Sequence, residues 1–157
     1  LIAGNPDDWL IITSNHGYGF KIQLKELLTK NKAGKLLLNL TEGAKVLKPS
    51  LLQQEHDLLA VVTQQGRLLI FPSNELPTLS KGKGNKLIQI PSSDLHENTD
   101  SVIAICSISE HNQLKINAGK RSIILKQTDI LHYSSNRAKR GLALPRGFQR
   151  VDNLMSI

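Results

Sequence analysis

The residues best suited to chemistry in this 157-residue chain are three clusters of basic side chains. Each cluster holds three cations within six residues, contains no acidic residue and lies beside glycine or other small residues. The clusters are Lys30, Lys32 and Lys35; Lys81, Lys83 and Lys86; and Arg137, Lys139 and Arg140. Closely spaced Lys and Arg side chains attract phosphate groups, so their recurrence predicts contact with a polyanion. A single cluster of this kind could equally serve only to keep a loop soluble.

The positive charge is unevenly distributed along the chain. The formal net charge is +7 and the isoelectric point is near 9.7. Residues 1–111 carry 11 basic and 11 acidic side chains, whereas residues 112–157 carry nine basic side chains against Asp129 and Asp152. The whole excess therefore lies in the last 46 residues, which is typical of a chain that meets an acidic partner through one end.

The residue pattern supports neither a catalytic site nor a metal site. The five histidines are scattered, and a single cysteine, Cys106, permits no internal disulfide and makes a structural zinc site improbable. We predict that Cys106 is a small buried hydrophobe. The glycine-containing stretch 82–86 lacks the spacing of a P-loop. We therefore predict no catalytic residue and no metal ligand.

A repeat of about fifty residues carries the basic clusters. Three segments align, at residues 8–40, 57–90 and 112–145. Gly17 and Gly66 are 49 residues apart, and Gly119 lies 53 residues further on. Each copy opens with an apolar run, a polar turn that ends in glycine, and a second apolar run. This order predicts a β-hairpin, because glycine adopts the positive φ of a tight turn without steric penalty.

Each repeat offers four short strands. The predicted hairpin strands are 10–13 with 20–24, 58–63 with 68–71, and 114–117 with 122–125. The predicted third strands are 36–40, 86–90 and 142–144, and the fourth strands are 45–51, 102–108 and 151–157. Four strands in about fifty residues indicate propeller blades, which need neighbours to cover their apolar faces.

The fold class is therefore predicted as all-β, with about three blades. Residues 1–157 form part of one domain, with repeats at approximately 8–51, 57–108 and 112–157. Helix formers are frequent at 24–28 and 36–40, which leaves a helical alternative, but frequent Gly and Pro and the Val and Ile content favour strands. Tyr18 is predicted in a strand, and Tyr133 in a loop or connector. Phe20 and Phe71 are predicted in blade cores.

Several stretches resemble a known family. They are GYGF at 17–20, NKAGK at 31–35, FPSNELPTLSKGKGNKLIQIP at 71–91 and RGLALPRGFQRVD at 140–152. They are similar to the C-terminal domains of the A subunits of bacterial topoisomerase IV and gyrase. The resemblance implies a β-pinwheel, a propeller-like disc of five or six four-stranded blades that exchange strands. This chain resembles the last three, and its start at Leu1 suggests a fragment of a longer protein.

The resemblance also separates two branches of the family. Gyrase carries a Gln-Arg-Arg-Gly-Gly-Arg-Gly type of box in its first blade, and no such string occurs here. The basic turns of this chain are degenerate, which favours the topoisomerase IV branch. A gyrase-type wrapping domain stays open as an alternative, because the first blades are absent from the sequence.

The resemblance implies a non-catalytic module that binds and bends double-stranded DNA. The module presents DNA segments for ATP-dependent strand passage, decatenation and relaxation in chromosome segregation. The family's cleaving tyrosine belongs to an upstream domain, and ATP and Mg²⁺ are expected only for the whole enzyme, so no cofactor is expected here. The implied partners are duplex DNA, the remaining domains of topoisomerase IV in both of its subunit types, and a condensin-type protein. The implied location is the bacterial cytoplasm at the chromosome, and no apolar run is long enough for a membrane span.

The expected DNA contacts are the basic residues of the repeats. They are Lys30, Lys32, Lys35, Arg67, Lys81, Lys83, Lys86, Lys120, Arg121, Arg137, Lys139 and Arg140. Arg146 and Arg150 fit either DNA or an acidic protein surface. This leaves a second function open, a propeller-type protein-interaction module with a basic tail that docks a partner.

Overall fold

The strands follow the predicted repeats closely in the hairpins and less closely elsewhere. The computed structural model describes residues 8–23, 25, 47, 50–52, 57–76, 78, 84–109, 112–148 and 150–157. The strands are β1 (Trp9–Thr13), β2 (Tyr18–Gln23), β3 (Ser50–Leu52), β4 (Leu58–Thr63), β5 (Arg67–Pro72), β6 (Asn85–Lys86), β7 (Val102–Ile108), β8 (Leu114–Ala118), β9 (Arg121–Leu125), β10 (Leu142–Ala143) and β11 (Asn153–Ser156). The helices are α1 (Ser92–Glu97) and α2 (Gln127–Tyr133), with a 3₁₀ turn at Ser73–Glu75.

Three antiparallel hairpins form the centres of three sheets. β1 pairs with β2, β4 with β5, and β8 with β9. The turn glycines Gly17, Gly66 and Gly119 have φ of 90°, 83° and 62°. These angles are open to glycine but unfavourable for other residues, so the predicted turn chemistry is confirmed.

The remaining strands complete the sheets in a blade-like arrangement. The strand order is β3-β1-β2-β6 in the first sheet, β10-β5-β4-β7 in the second and β11-β8-β9 in the third. All of these strand pairs are antiparallel. The prediction of an all-β fold with about three blades is confirmed.

Two strands leave their own repeat and join the preceding sheet. β6 follows β5 in the chain, yet it pairs with β2, with Lys86 opposite Tyr18. β10 follows β9, yet it pairs with β5, with Leu142 opposite Leu68. Within the described residues, β9 receives no such strand and pairs only with β8. Each exchanged strand ties one repeat to the repeat before it.

Glycine is required where the exchanged strands begin. Gly84 has φ of 79°, and a Cβ atom there would collide with the backbone of Gly19. Gly141 has φ of 80°, and its Cβ would lie 2.9 Å from the carbonyl oxygen of Leu68. Gly84 lies within a basic stretch and Gly141 follows one, and the presence of both glycines is explained by close backbone approach between strands.

The second sheet lies between two apolar cores. Side chains alternate along its strands, as the two-residue period of a strand requires. Ala60 and Ile70 share a core with Leu114 of the third sheet. Val61 and Phe71 share the other core, which also holds Ile11 of the first sheet. The second sheet therefore joins the other two through both of its faces.

Several predicted strands are shorter in the structure. The strand predicted at 86–90 ends at Lys86, and the buried residues Leu87 and Ile88 continue outside a strand. The amide of Leu87 donates a hydrogen bond to the Gly17 carbonyl at 2.6 Å, next to the paired residues Lys86 and Tyr18. The strands predicted at 142–144 and 151–157 are likewise reduced to β10 and β11. The strand predicted at 36–40 lies outside the described residues.

Both α-helices were absent from the sequence prediction. Tyr133 was predicted in a loop or connector, but it is the last residue of α2 and is buried, as is Ile130. The Asp129 carboxylate accepts the Lys126 amide at 3.1 Å where α2 begins. A helix of seven residues is too short to show a clear hydrophobic period, and packing stabilises it. No helix in the described part of the chain is long and apolar enough to cross a membrane.

The other predicted aromatic residues lie as expected. Tyr18 begins β2, and Phe20 and Phe71 are fully buried. Trp9 is half-buried and packs against the core shared by the first and second sheets. Cys106, predicted as buried, is half-buried in β7 and packs against the other core.

Candidate nucleic-acid interface

The structure places nine of the predicted basic contact residues. They are Arg67, Lys86, Lys120, Arg121, Arg137, Lys139, Arg140, Arg146 and Arg150. The cluster Lys30, Lys32 and Lys35 and the pair Lys81 and Lys83 lie outside the described residues. The nine placed residues fall into two groups, one at the junction between the first two sheets and the other on the third sheet.

The first group forms where the third repeat crosses the second. The amide of Ala138 donates to the Leu87 carbonyl at 2.9 Å, and the amide of Gln89 donates to the Lys139 carbonyl at 2.8 Å. These bonds join segments about fifty residues apart. We call this junction, residues 86–89 with 137–141, the basic seam.

Lys86 lies at one side of the basic seam. It is half-buried at the end of β6, and its Nζ donates a hydrogen bond to Gln89 Oε1 at 2.8 Å. Gln89 is also the residue that bonds to the Lys139 carbonyl. The same residue thus holds Lys86 in place next to the backbone of Lys139, and Lys86 of the second predicted cluster becomes a neighbour of the third cluster.

Arg137 has its head group directed into the protein. Its Nη1 donates to the Lys86 carbonyl at 2.6 Å, and its backbone amide donates to Glu75 Oε1 at 2.9 Å. Its Nε is buried as well. Hydrogen bonds from a charged donor are stronger than neutral ones. Arg137 therefore connects the third repeat to the second, whereas the sequence analysis expected a surface contact.

Arg67 is also engaged with the backbone. Its Nη1 donates to the Gly141 carbonyl at 3.0 Å, just before β10 begins. The contact joins residues 74 positions apart, so it stabilises the exchanged strand on the second sheet. Its guanidinium still adds a positive charge beside the basic seam.

Lys139 and Arg140 are the freest cations of the basic seam. Lys139 is exposed and Arg140 half-buried. Neither side chain forms a hydrogen bond or an ion pair with the residues that the structure describes. Both line a cavity of about 260 Å³, together with Leu69 and Leu142. These two side chains keep their charge available for a bound anion.

The second group of cations lies on the third sheet. Lys120 and Arg121 are exposed at the β8–β9 turn. The guanidinium of Arg121 lies against Gly147, where a Cβ atom would collide with it. Arg146 and Arg150 are exposed nearby in sequence. The structure thus brings Arg121 close to the turn that holds Arg146.

Two of the described titratable groups have a pKa raised above the ordinary value. Burial raises the pKa of the Cys106 thiol, partly offset by a backbone hydrogen bond from Ser156, so the thiol stays protonated and unreactive near neutral pH. Burial also raises the pKa of Tyr133, with a further contribution from the Asp129 carboxylate. The described residues include no group of three or more His, Cys, Asp and Glu side chains that could hold a metal ion.

A family model matches residues 8–52 and 57–107, and its family is described as the DNA gyrase C-terminal domain, beta-propeller. The chain belongs to this family. The match covers the first sheet of this gyrase C-terminal-domain family member and, in the second sheet, β4, β5 and all but the last residue of β7, whereas β10 lies outside it.

Relatives of this family member agree with that assignment. The A subunit of DNA topoisomerase 4 from Haemophilus influenzae is 41% identical over 157 residues, which is 100% of this chain and 21% of the relative. The Pseudomonas aeruginosa protein of the same name is 44% identical over 153 residues, covering 96% of this chain and 20% of the relative. The chain spans about a fifth of the length of these curated relatives.

Solved structures show the same fold. The C-terminal domain of ParC from Escherichia coli has a TM-score of 0.88 at 37% identity, covering 98% of this chain and 62% of that one. A DNA gyrase A C-terminal domain has a TM-score of 0.75 at 16% identity, covering 98% of this chain and 50% of that one. The second likeness concerns the fold alone.

Two residues that bind to the basic residues of the seam were not among the predicted contacts. Glu75 and Gln89 hold the basic residues in position, yet neither carries positive charge. A signal for Glu75 was present, because Glu26 occupies the same place 49 residues earlier. Gln89 has no such signal, because its role depends on a contact with the next repeat.

Proposed function

We propose that this family member is a non-catalytic module that binds and bends double-stranded DNA for a bacterial type IIA topoisomerase of the topoisomerase IV kind. The basic seam carries the proposal, because it brings cations of two repeats next to each other. Direct phosphate contacts are assigned to Lys86, Lys139 and Arg140. Arg67 and Arg137 act mainly by holding the backbone of the seam.

The part of the proposal that concerns the longer enzyme is supported by the relatives, which are A subunits of DNA topoisomerase 4. In that setting the module presents DNA segments for strand passage, and its partners are the remaining domains of the enzyme, in both of its subunit types. Cleavage, ATP and Mg²⁺ belong to other parts of the enzyme. The proposed location is the bacterial cytoplasm, at the chromosome.

The proposed contact is electrostatic and carries little sequence specificity. Lys and Arg side chains position phosphates without reading bases, so any preference follows from how easily the DNA bends. Each neutralised phosphate releases about 0.9 of a counterion. Six contacts would lower affinity roughly a thousandfold between about 50 and 200 mM salt.

Fluorescence anisotropy with a labelled duplex of about 40 base pairs tests the proposal across this salt range. We expect a steep loss of affinity with salt and a preference for duplex over single strand. Reversing charge at Lys86, Lys139 and Arg140 together should weaken duplex binding and flatten the salt slope. Duplex binding that is unchanged in this triple variant would contradict the proposal.

A second candidate function rests on the cations of the third sheet. These cations are Arg121, which lies against Gly147, and the exposed residues Arg146 and Arg150, and none of the three belongs to the basic seam. Such a group suits an acidic protein surface, for example that of a condensin-type partner. Charge reversal at Arg146 and Arg150 should then abolish capture of that partner and leave duplex affinity intact.

A further inference from the structure

The cavity beside the basic seam has a defined wall and floor. Its volume is about 260 Å³, and it lies where the segment after α2 crosses the second sheet. Leu69 is 1% exposed and forms the floor, whereas Leu142 is 45% exposed and lies at the rim. The polar lining includes Ser135, Lys139 and Arg140. The cavity therefore combines an apolar surface with two cations.

The walls are held by hydrogen bonds to backbone carbonyls. The amide of Ser135 donates to the Ile70 carbonyl at 2.8 Å, which fixes the segment after α2 on β5. On the other side, Arg67 Nη1 donates to the Gly141 carbonyl at 3.0 Å. A site held in this way needs little rearrangement when a ligand enters, which lowers the entropic penalty of binding.

The charge of the cavity is positive. No side chain among those that line it is acidic, and Lys139 and Arg140 form no ion pair with the described residues. Tyr133 also lines the cavity, and burial raises the pKa of its phenol, so it adds no negative charge near neutral pH. Asp129 is engaged at the start of α2, where its carboxylate accepts the Lys126 amide.

The size and lining select the chemical class of the ligand. Pockets for drug-sized ligands measure about 300 to 1,000 Å³, so this cavity suits a smaller group. A phosphate with part of its sugar fits the combination of two cations, a hydroxyl and an apolar rim. The planar guanidinium of Arg can donate two parallel hydrogen bonds to two oxygens of a phosphate, and Lys acts as a point charge.

We propose that this cavity receives a backbone phosphate of duplex DNA, with Lys139 and Arg140 on the phosphate, Ser135 as a hydrogen-bond donor and Leu142 against the deoxyribose. The inference rests on the proposed DNA-binding function and names one of its contact points. Lys86 is linked to Lys139 through Gln89, which accepts a hydrogen bond from Lys86 Nζ and donates its amide to the Lys139 carbonyl. The neighbouring cation favours a chain of phosphates over an isolated anion.

The sharpest test fills the cavity without changing charge. Ser135→Phe places a ring among the lining residues, while the exposed Ser93 on α1 offers a matched Ser93→Phe control. With the 157-residue chain and the labelled duplex, we expect Ser135→Phe to lower affinity several-fold and to reduce the salt slope by about 1. Ser93→Phe should bind like the unmodified chain.

A second variant covers the case in which Ser135→Phe misfolds, as judged by circular dichroism. Arg140→Gln removes one cation of the cavity, and Lys115→Gln on β8 removes one cation elsewhere. Arg140→Gln should reduce the salt slope by about 1, and Lys115→Gln should change it less. Equal effects of the two substitutions would show only a general loss of charge and would overturn the proposal.

The failure of this inference can be told apart from failure of the proposed function. If the unmodified chain binds no duplex, both the proposed function and the cavity proposal are contradicted. If the unmodified chain binds duplex and a folded Ser135→Phe variant binds duplex equally well, only the cavity proposal is contradicted. A polyglutamate peptide that binds the unmodified chain and not Ser135→Phe, with duplex binding unchanged, would assign the cavity to a protein partner and overturn the proposal.

Discussion

At the scale of single residues, Arg137 and Arg140 are three positions apart and have different tasks. Arg137 donates to the Lys86 carbonyl and has a buried Nε, whereas Arg140 lines a cavity without a partner among the described residues. The difference arises from the path of the backbone between them. Ala138 has φ of 69° and bonds to Leu87, so the chain turns outward after Arg137.

This division predicts different effects on stability. Arg137→Ala should lower the free energy of unfolding by about 1.5 to 3 kcal/mol, because it removes a hydrogen bond from a charged donor and leaves the Lys86 carbonyl without it. Arg140→Ala should change the free energy of unfolding by no more than about 0.5 kcal/mol, as is usual for surface substitutions. Urea unfolding of both variants measures the difference. Equal losses would contradict the assignment of Arg137 to the interior of the basic seam.

At the scale of elements, the exchanged strands depend on close contact between backbones. β6 and β10 have two residues each, so pairing alone stabilises them little. The glycine before each strand permits the approach, and the buried residues that follow β6 anchor it in the core. The basic stretch 137–140 that precedes β10 is therefore held at the edge of the second sheet.

Two glycines with positive φ test this dependence. Gly84→Ala should destabilise the fold by more than Gly119→Ala, although their φ angles are similar at 79° and 62°. Alanine at either position costs about 1 to 2 kcal/mol for the left-handed conformation. At Gly84 the new Cβ also collides with the backbone of Gly19, whereas at Gly119 nothing lies within 4 Å.

Thermal unfolding of the two glycine variants gives the comparison. We expect a lower midpoint for Gly84→Ala, together with weaker duplex binding, because Lys86 would move with β6. Gly119→Ala serves as the control for conformational strain alone. Identical midpoints would show that the close approach of Gly84 to Gly19 contributes nothing to stability.

At the scale of the whole molecule, the second sheet connects the other two. One of its faces shares a core with the first sheet and the other with the third. The third sheet has the exposed side chains Ile124 and Met155, which lie in one row on either side of Lys115. In repeat proteins each unit relies on its neighbours to cover its apolar face, so we expect the sheets to unfold together.

Phe71→Ala tests this coupling. Phe71 is fully buried in the core between the first and second sheets, and its truncation should lower the free energy of unfolding by about 3 to 5 kcal/mol. Trp9 is the single tryptophan and lies in the first sheet, so its fluorescence reports that sheet. Far-ultraviolet circular dichroism reports all sheets. The two probes should give one common transition, and separate midpoints would show independent units.

The local pattern of residue types along the sequence was sufficient to predict many of the strands of this fold. The strands predicted at 58–63 and 102–108 match β4 and β7, because alternation, β-branched residues and turn glycines act within a few positions. The family resemblance, rather than the pattern, implied exchange of strands between blades. The two short helices were missed because their residues show no clear period and packing stabilises them.

By itself, the sequence determined the hairpins, the spacing of the repeats and the presence of basic residues in each repeat. These properties depend on residue type and on neighbours along the chain. Only the tertiary structure decided that Lys86 and Lys139 lie together, that Arg137 is held inside, and that Lys139 and Arg140 line a cavity. The reason is distance along the chain, since the Arg137–Lys86 contact joins residues 51 positions apart. Such a contact depends on which sheet each exchanged strand joins.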